Sequence, residues 1–256
     1  MFSLSRNRRL VLLLLVVAAV TASTAGAALQ LGNGGRDVLI GKDNDNAANT
    51  FIQPPGVTAK QHLDNTDVLR AGAAGDLLIG LKGSDVLEGD QGADILVGGV
   101  EQATAPNSDV IDGAQGDDIN IWAPGDGSDF VLGGRGYDTS ISAPLVLNGS
   151  VPALFPSGYR QVPHVSIDAK PQFRCTVEKV PANLDLGFDY ITRFFANGNL
   201  AVTIRLQDVE QVLCPSPNAG HVLVARVVGN SPTFVERPLS DFSGTLLGAV
   251  LQAPAR

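Results

Sequence analysis

Apolar residues along residues 31–141 follow neither the 3.6 period of an amphipathic helix nor the simple alternation of a long strand. Residues 80–88 (GLKGSDVLE) and 89–97 (GDQGADILV) align without a gap, with glycine at the first and fourth places, aspartate at the sixth and an apolar residue at the eighth. The same spacing of nine links Asp67, Asp76, Asp85 and Asp94, then Asp109 with Asp118, and Asp129 with Asp138; Asp37 opens the series, with Asn46 nine residues later. A fixed period decides the architecture. Each unit predicts a short strand whose eighth residue points inward, preceded by a turn in which the two glycines adopt positive φ. Stacked units then bury a continuous aliphatic ladder.

Beyond Pro144 the pattern changes. Pro144, Pro152, Pro156 and Pro163 mark an irregular connection, followed by extended runs over residues 173–180, 188–195, 200–213 and 221–228. In the third run Val202, Ile204 and Leu206 alternate with Thr203, Arg205 and Gln207, which predicts a half-buried strand. Residues 196–199 (ANGN) predict a hairpin turn. The expected fold is all-β: a parallel β-roll followed by a small antiparallel β domain. The expected boundaries are a leader at 1–27, the roll at 28–143, the connection at 144–163 and the C-terminal domain at 164–256.

Stacking the repeats also stacks their aspartates, about 5 Å apart at the spacing of neighbouring strands. At an effective dielectric near 20 that is roughly 3 kcal/mol of repulsion per adjacent pair, so a cation is expected between them. Calcium, which accepts six to eight oxygens in flexible geometry, suits turn carbonyls and carboxylates better than magnesium. These residues resemble the haemolysin-type, or RTX, calcium-binding repeat G-G-x-G-x-D-x-U-x, over residues 31–141. The resemblance implies a roll in which two nonapeptides make one turn and several calcium ions lie between turns. It places Asp37, Asp67, Asp85, Asp109 and Asp129 on one edge, and Asn46, Asp76, Asp94, Asp118 and Asp138 on the other. The chain departs from the pattern at Ala71 and Ala74 before Asp76, at Asn46, and at Pro124 before Asp129. Asn120 and Ser140 at eighth places fray the aliphatic ladder, and the single tryptophan, Trp122, is expected to cap that end.

Insertions interrupt the count, adding twelve residues around 49–63, six at 100–106 and two at Trp122 and Ala123. Loops of this kind leave a solenoid at one edge without breaking the stack. His62 lies in the first and has no ligand spacing to His164 or His221.

Charge sharpens the division. Residues 31–141 carry 18 acidic and six basic side chains, net −12, while residues 142–256 carry eight acidic and nine basic, net +1. This asymmetry favours a cation ligand and disfavours nucleic acid. Arg6, Arg8 and Arg9 precede the apolar run 10–20, and small residues at 25–27 suit cleavage, so a secreted chain without a membrane span after processing is expected. The only two cysteines, Cys175 and Cys214, are then expected to form a disulfide.

One face of the roll sets a further expectation. Its outward places hold Leu77, Ile79, Ile95, Val97, Ile119, Ile121 and Ile141, a patch large enough to demand a cover. The C-terminal β domain is expected to supply it, with a homodimer as the alternative.

The chain contains no H-E-x-x-H, G-x-S-x-G, P-loop or dinucleotide glycine fingerprint. Ser166, His164 or His221, and Asp168 or Asp208 form a triad only on paper. Residues 148–150 (NGS) match a glycosylation acceptor and equally a turn. The expected function is a secreted, non-catalytic calcium-binding module acting at the cell surface or matrix. The alternative is an extracellular hydrolase or lyase with its site in the C-terminal domain.

Overall fold

The computed structural model describes residues 29–32, 34–40, 67–99, 108–149, 151–158, 160–167, 169–184 and 186–252. The expected leader, Asn46, His62, Asp168 and most of the two longer insertions lie outside the described residues.

The nonapeptides form ten short strands: β1 (Leu29–Leu31), β2 (Val38–Ile40), β3 (Val68–Ala73), β4 (Leu77–Ile79), β5 (Val86–Gln91), β6 (Ile95–Val97), β7 (Val110–Gln115), β8 (Ile119–Trp122), β9 (Phe130–Arg135) and β10 (Thr139–Ser142). Odd-numbered strands stack in parallel in one sheet and even-numbered strands in the other. The register advances by one turn at a time, as in Val68↔Val86, Val86↔Val110 and Val110↔Phe130. Residues 68–142 are thus a parallel β-solenoid. Its interior holds the eighth-place residues Leu69, Leu78, Leu87, Leu96 and Ile111. Further along, the ladder turns polar: Asn120 and Ser140 are buried, and the Ser140 hydroxyl donates to Asn120 Oδ1 at 3.3 Å. Trp122 fills the frayed end, 1% exposed, its ring centroid 5.0 Å from that of Phe194.

Two small hairpins follow, β11 (Leu147–Asn148) with β12 (Val151–Pro152) and β13 (Leu154–Pro156) with β14 (Gln161–Pro163). The antiparallel strands are β15 (Phe173–Lys179), β16 (Tyr190–Ala196), β17 (Asn199–Gln207), β18 (Gln211–Pro215), β19 (His221–Arg226) and β20 (Phe234–Pro238), before a short helix α1 (Leu246–Val250). Asn197 and Gly198 turn between β16 and β17 with φ of 51° and 81°, as a tight hairpin requires.

These strands prolong the sheets of the roll. β17 joins β9 in parallel and β18 joins β10 in parallel, so each sheet has eight strands and changes from parallel to antiparallel pairing at this seam. The last strands of the roll would otherwise present unpaired edges. Residues 206–212 imitate one more turn: Leu206 and Val212 are fully buried, and Asp208 between them has φ 50°. The disulfide Cys175–Cys214 ties β15 of one sheet to β18 of the other, with Cα atoms 6.3 Å apart.

The seven outward aliphatic residues of the even-numbered sheet are buried within the chain. Their cover comes from the C-terminal half of the chain, as expected, though from segments outside its antiparallel strands. It comprises Val162 of the proline-rich connection, and Val165, Ile167, Leu239, Val250 and Leu251 of residues 164–256, with Phe242 and Leu246 packed alongside. The antiparallel strands are committed to extending the two sheets, which leaves the connection and the C-terminal turn to cap the face.

Candidate metal centre

Two kinds of position shape each turn of the roll. Positive φ falls at the second and fourth places: Gly72, Leu81, Asp90, Ala114 and Gly134 at the second, Ala74, Gly83, Gly92, Gly116 and Gly136 at the fourth. First-place glycines serve a different purpose from the expected one. They lack positive φ and are required by close approach. A Cβ on Gly80 would lie 2.4 Å from Asp85 Oδ2 and 2.4 Å from the Gly98 carbonyl oxygen; on Gly113 it would lie 2.4 Å from Asp118 Oδ2 and 2.8 Å from the Gly133 oxygen. Each such glycine is therefore the floor of a cradle into which its own repeat sends a carboxylate oxygen and the next turn sends a carbonyl. At Gly133 the carbonyl comes from Asp208, so the imitation turn completes the last cradle.

The aspartates form two ladders. On the first edge the backbone N–H of Asp67 donates to Asp85 Oδ1 (2.6 Å), Asp85 to Asp109 (2.7 Å) and Asp109 to Asp129 (3.0 Å). On the second, Asp37 donates to Asp76 (2.6 Å), Asp76 to Asp94 (2.6 Å), Asp94 to Asp118 (2.8 Å) and Asp118 to Asp138 (2.9 Å). Glu210 of the imitation turn adds a final rung, its Oε2 accepting from the Asp138 N–H at 2.7 Å. These inter-rung bonds partly offset the repulsion expected from stacked carboxylates. The second oxygens do not share in them: Oδ2 of Asp76, Asp94, Asp109, Asp118 and Asp138 is buried without a hydrogen-bond partner. Burial, chiefly, raises the carboxyl pKa of Asp94 and Asp138 to about 7 and of Asp118 to about 8.

Asp37 corrects the expected arrangement. It stands below Asp76 on the second edge, because the strand after it, β2, pairs with β4, while β1 pairs with β3. Asp37 and Asp67 therefore stand on different edges.

On the first edge one cradle is unlike the rest. Pro124 occupies the first place of its repeat, and the position above Gly98 is taken by a carboxylate instead of a carbonyl: a Cβ there would lie 2.3 Å from Asp109 Oδ2 and 2.9 Å from Asp126 Oδ2. Asp109, Asp126 and Asp129, all buried, bring one carboxylate oxygen each within 4.8 Å of one another. At such separations of at most 4.8 Å, each charged pair costs at least roughly 3.5 kcal/mol at an effective dielectric near 20. Burial first, then the neighbouring Asp126, Asp129 and Asp85, hold the Asp109 carboxyl well above the usual carboxylate range. Asp126 was absent from the expected ligand set. Its signal was a third-place aspartate where the other repeats have Ala73, Lys82, Gln91, Gln115 or Arg135.

The second edge has its own addition. Arg160, from the proline-rich segment, donates from Nη2 to the Ala93 carbonyl at 2.8 Å, and its charge acts on Asp94, Asp76 and Asp118. Desolvation lowers its pKa from the ordinary arginine value, opposed by these aspartates.

Hard oxygen donors, buried carboxylates and convergent carbonyls are the chemistry of a calcium-type site, and the residues present fit such an ion. His164 is otherwise engaged, stacked on Phe155 with ring centroids 4.2 Å apart, and His221 Nδ1 lies 2.9 Å from the Ala219 oxygen. No protein-family model matches the chain, and no curated protein matches it.

Proposed function

We propose that this chain is a secreted, non-catalytic calcium-binding protein of the haemolysin-type repeat kind, whose roll is stiffened by calcium and serves as a structural or interaction module at the cell surface or matrix. The observation that carries this reading is the repeated cradle: a buried Oδ2 without a hydrogen-bond partner facing a carbonyl from the next turn. Leaving such groups without a partner is costly, and a hard cation satisfies both oxygens at once. With carboxyl pKa values raised to about 7 and 8 in the absence of metal, the carboxyls release protons as the ion is taken up, so binding, deprotonation and stiffening of the roll form one event.

Secretion is supported by the Cys175–Cys214 disulfide, which suits an oxidising compartment. No helix among the described residues is long and apolar enough to cross a membrane. If the sites have dissociation constants near 10⁻⁴ M, as extracellular modules often do, about 10 mM calcium adds roughly 2.7 kcal/mol per site.

The test is calcium titration of the processed chain after exhaustive chelation, followed by circular dichroism and a count of bound metal. Uptake of several ions with a rise in melting temperature is expected. A chelated sample that takes up no calcium and keeps the same melting temperature on its addition overturns the proposal.

A further inference from the structure

We infer that Asp126, joining the rung aspartates Asp109 and Asp129, completes a site for one calcium-sized divalent cation that is filled before the other cradles of the roll. The inference rests on the calcium-binding reading above and assigns its tightest position. Three observations point to it. First, the three carboxylates are 1%, 7% and 1% exposed and present oxygens within 4.8 Å of one another. Second, Asp109 Oδ2 is buried without a hydrogen-bond partner and aims into the Gly98 cradle, where Asp126 Oδ2 converges on it. Third, the ligands are fixed in advance. Asp109 Oδ1 accepts from the Asp85 N–H (2.7 Å) and Asp129 Oδ1 from the Asp109 N–H (3.0 Å). Asp126 is held at both oxygens, by the Gly99 N–H at 2.9 Å and the Gly127 N–H at 2.8 Å.

Other cradles offer one carboxylate and one neutral carbonyl. This one offers carboxylates on both sides, a higher negative charge in a drier place. Magnesium retains water and demands near-ideal octahedral geometry at short distances, whereas calcium accepts a carboxylate-rich, irregular set. The site also has a built-in reporter: Trp122, the only tryptophan, donates from Nε1 to the Gly127 carbonyl at 2.9 Å, one residue from Asp126.

The experiment uses the processed chain and terbium(III), a luminescent probe of calcium sites, with excitation selective for tryptophan. Wild type is expected to give sensitised emission that saturates with the first ion and is displaced by calcium. Asp126→Asn, which keeps the shape of the side chain, is expected to weaken this signal's affinity at least tenfold; Glu178→Gln, at an exposed carboxylate of β15 outside the roll, is expected to leave it unchanged. Trp122→Phe is expected to abolish the emission and retain calcium uptake, which keeps the test sound should Asp126→Asn fold poorly. An Asp126→Asn titration that matches wild type, or emission that survives Trp122→Phe, overturns this inference and leaves the calcium-binding reading standing if calcium is still taken up. Wild type that takes up no calcium overturns both.

Discussion

Along one edge of the roll the aspartates of successive repeats are joined by a further acid, Asp126; along the other, Asp76, Asp94 and Asp118 feel the charge of a base, Arg160. Both edges obey the same nine-residue rule and, Gly98 apart, share the same cradles and the same bonds between rungs. What differs comes from where the chain departs from the repeat. Asp126 follows the two-residue insertion at Trp122 and Ala123, and Arg160 comes from the connection that covers the aliphatic face. The period places the acids, and the residues that break the period decide what balances them. On this account the first edge depends on an ion from solution, while the second is partly balanced by the chain itself.

The largest expected effect tests what the edges share. Gly98→Ala on the first edge and Gly113→Ala on the second each push a methyl group into a carboxylate within 2.4 Å, and each is expected to cost about 3 kcal/mol in chemical denaturation, as severe overpacking does. Gly158, with nothing within 4 Å of an added Cβ, is the control and is expected to change stability by less than about 0.5 kcal/mol. Equal losses at all three positions would show that the cradle is not the reason for glycine.

Charge substitutions separate the edges by sign. Arg160→Met is expected to destabilise the chelated protein by about 2 kcal/mol, because it leaves the buried acids of the second edge without their internal cation. Asp109→Asn is expected to stabilise the chelated protein by about 1 kcal/mol, because it removes repulsion at the triad and puts an amide N–H where Oδ2 has no hydrogen-bond partner, beside Asp126 Oδ2. Thermal melts in chelator decide this. Effects of the same sign would break the proposed difference between the edges.

Much of this was legible in the sequence because a repeat multiplies a weak signal. The aspartate spacing, the interior ladder and the apolar outer face all follow from a period that alternates inward and outward places. The disulfide was legible because only two cysteines exist. The edge of Asp37 was not, since the nine-residue count is interrupted between Asp37 and Asp67 and no longer fixes which edge Asp37 joins. Arg160 and Asp126 were hidden for a related reason: one lies 67 residues from the Ala93 carbonyl it binds, and the other reaches its cradle only because Pro124 and the insertion redirect the turn. The first-place glycine suggests a turn residue in sequence, because sequence shows that a side chain is absent without showing what fills its space.

A smaller effect is read from pH. In the chelated protein the Asp94, Asp118 and Asp138 carboxyls have pKa values raised to about 7, 8 and 7, against about 3.9 unfolded. The folded state therefore holds more protons between about pH 4 and 8, and its stability must fall as pH rises through that window, by up to about 1.4 kcal/mol per pH unit for each such group. Calcium, by keeping the carboxylates ionised, is expected to flatten or reverse this slope. Chelated protein that gains stability from pH 4 to 8 would contradict the burial of these groups as acids.

The most direct test of unequal edges is equilibrium dialysis of calcium against three proteins: wild type, Asp109→Asn with Asp129→Asn, and Asp94→Asn with Asp118→Asn. Unequal edges predict that the first pair abolishes the tightest calcium uptake, while the second pair retains it within about twofold of wild type. Loss of the tightest uptake in the second pair, with the first pair binding like wild type, would contradict that difference.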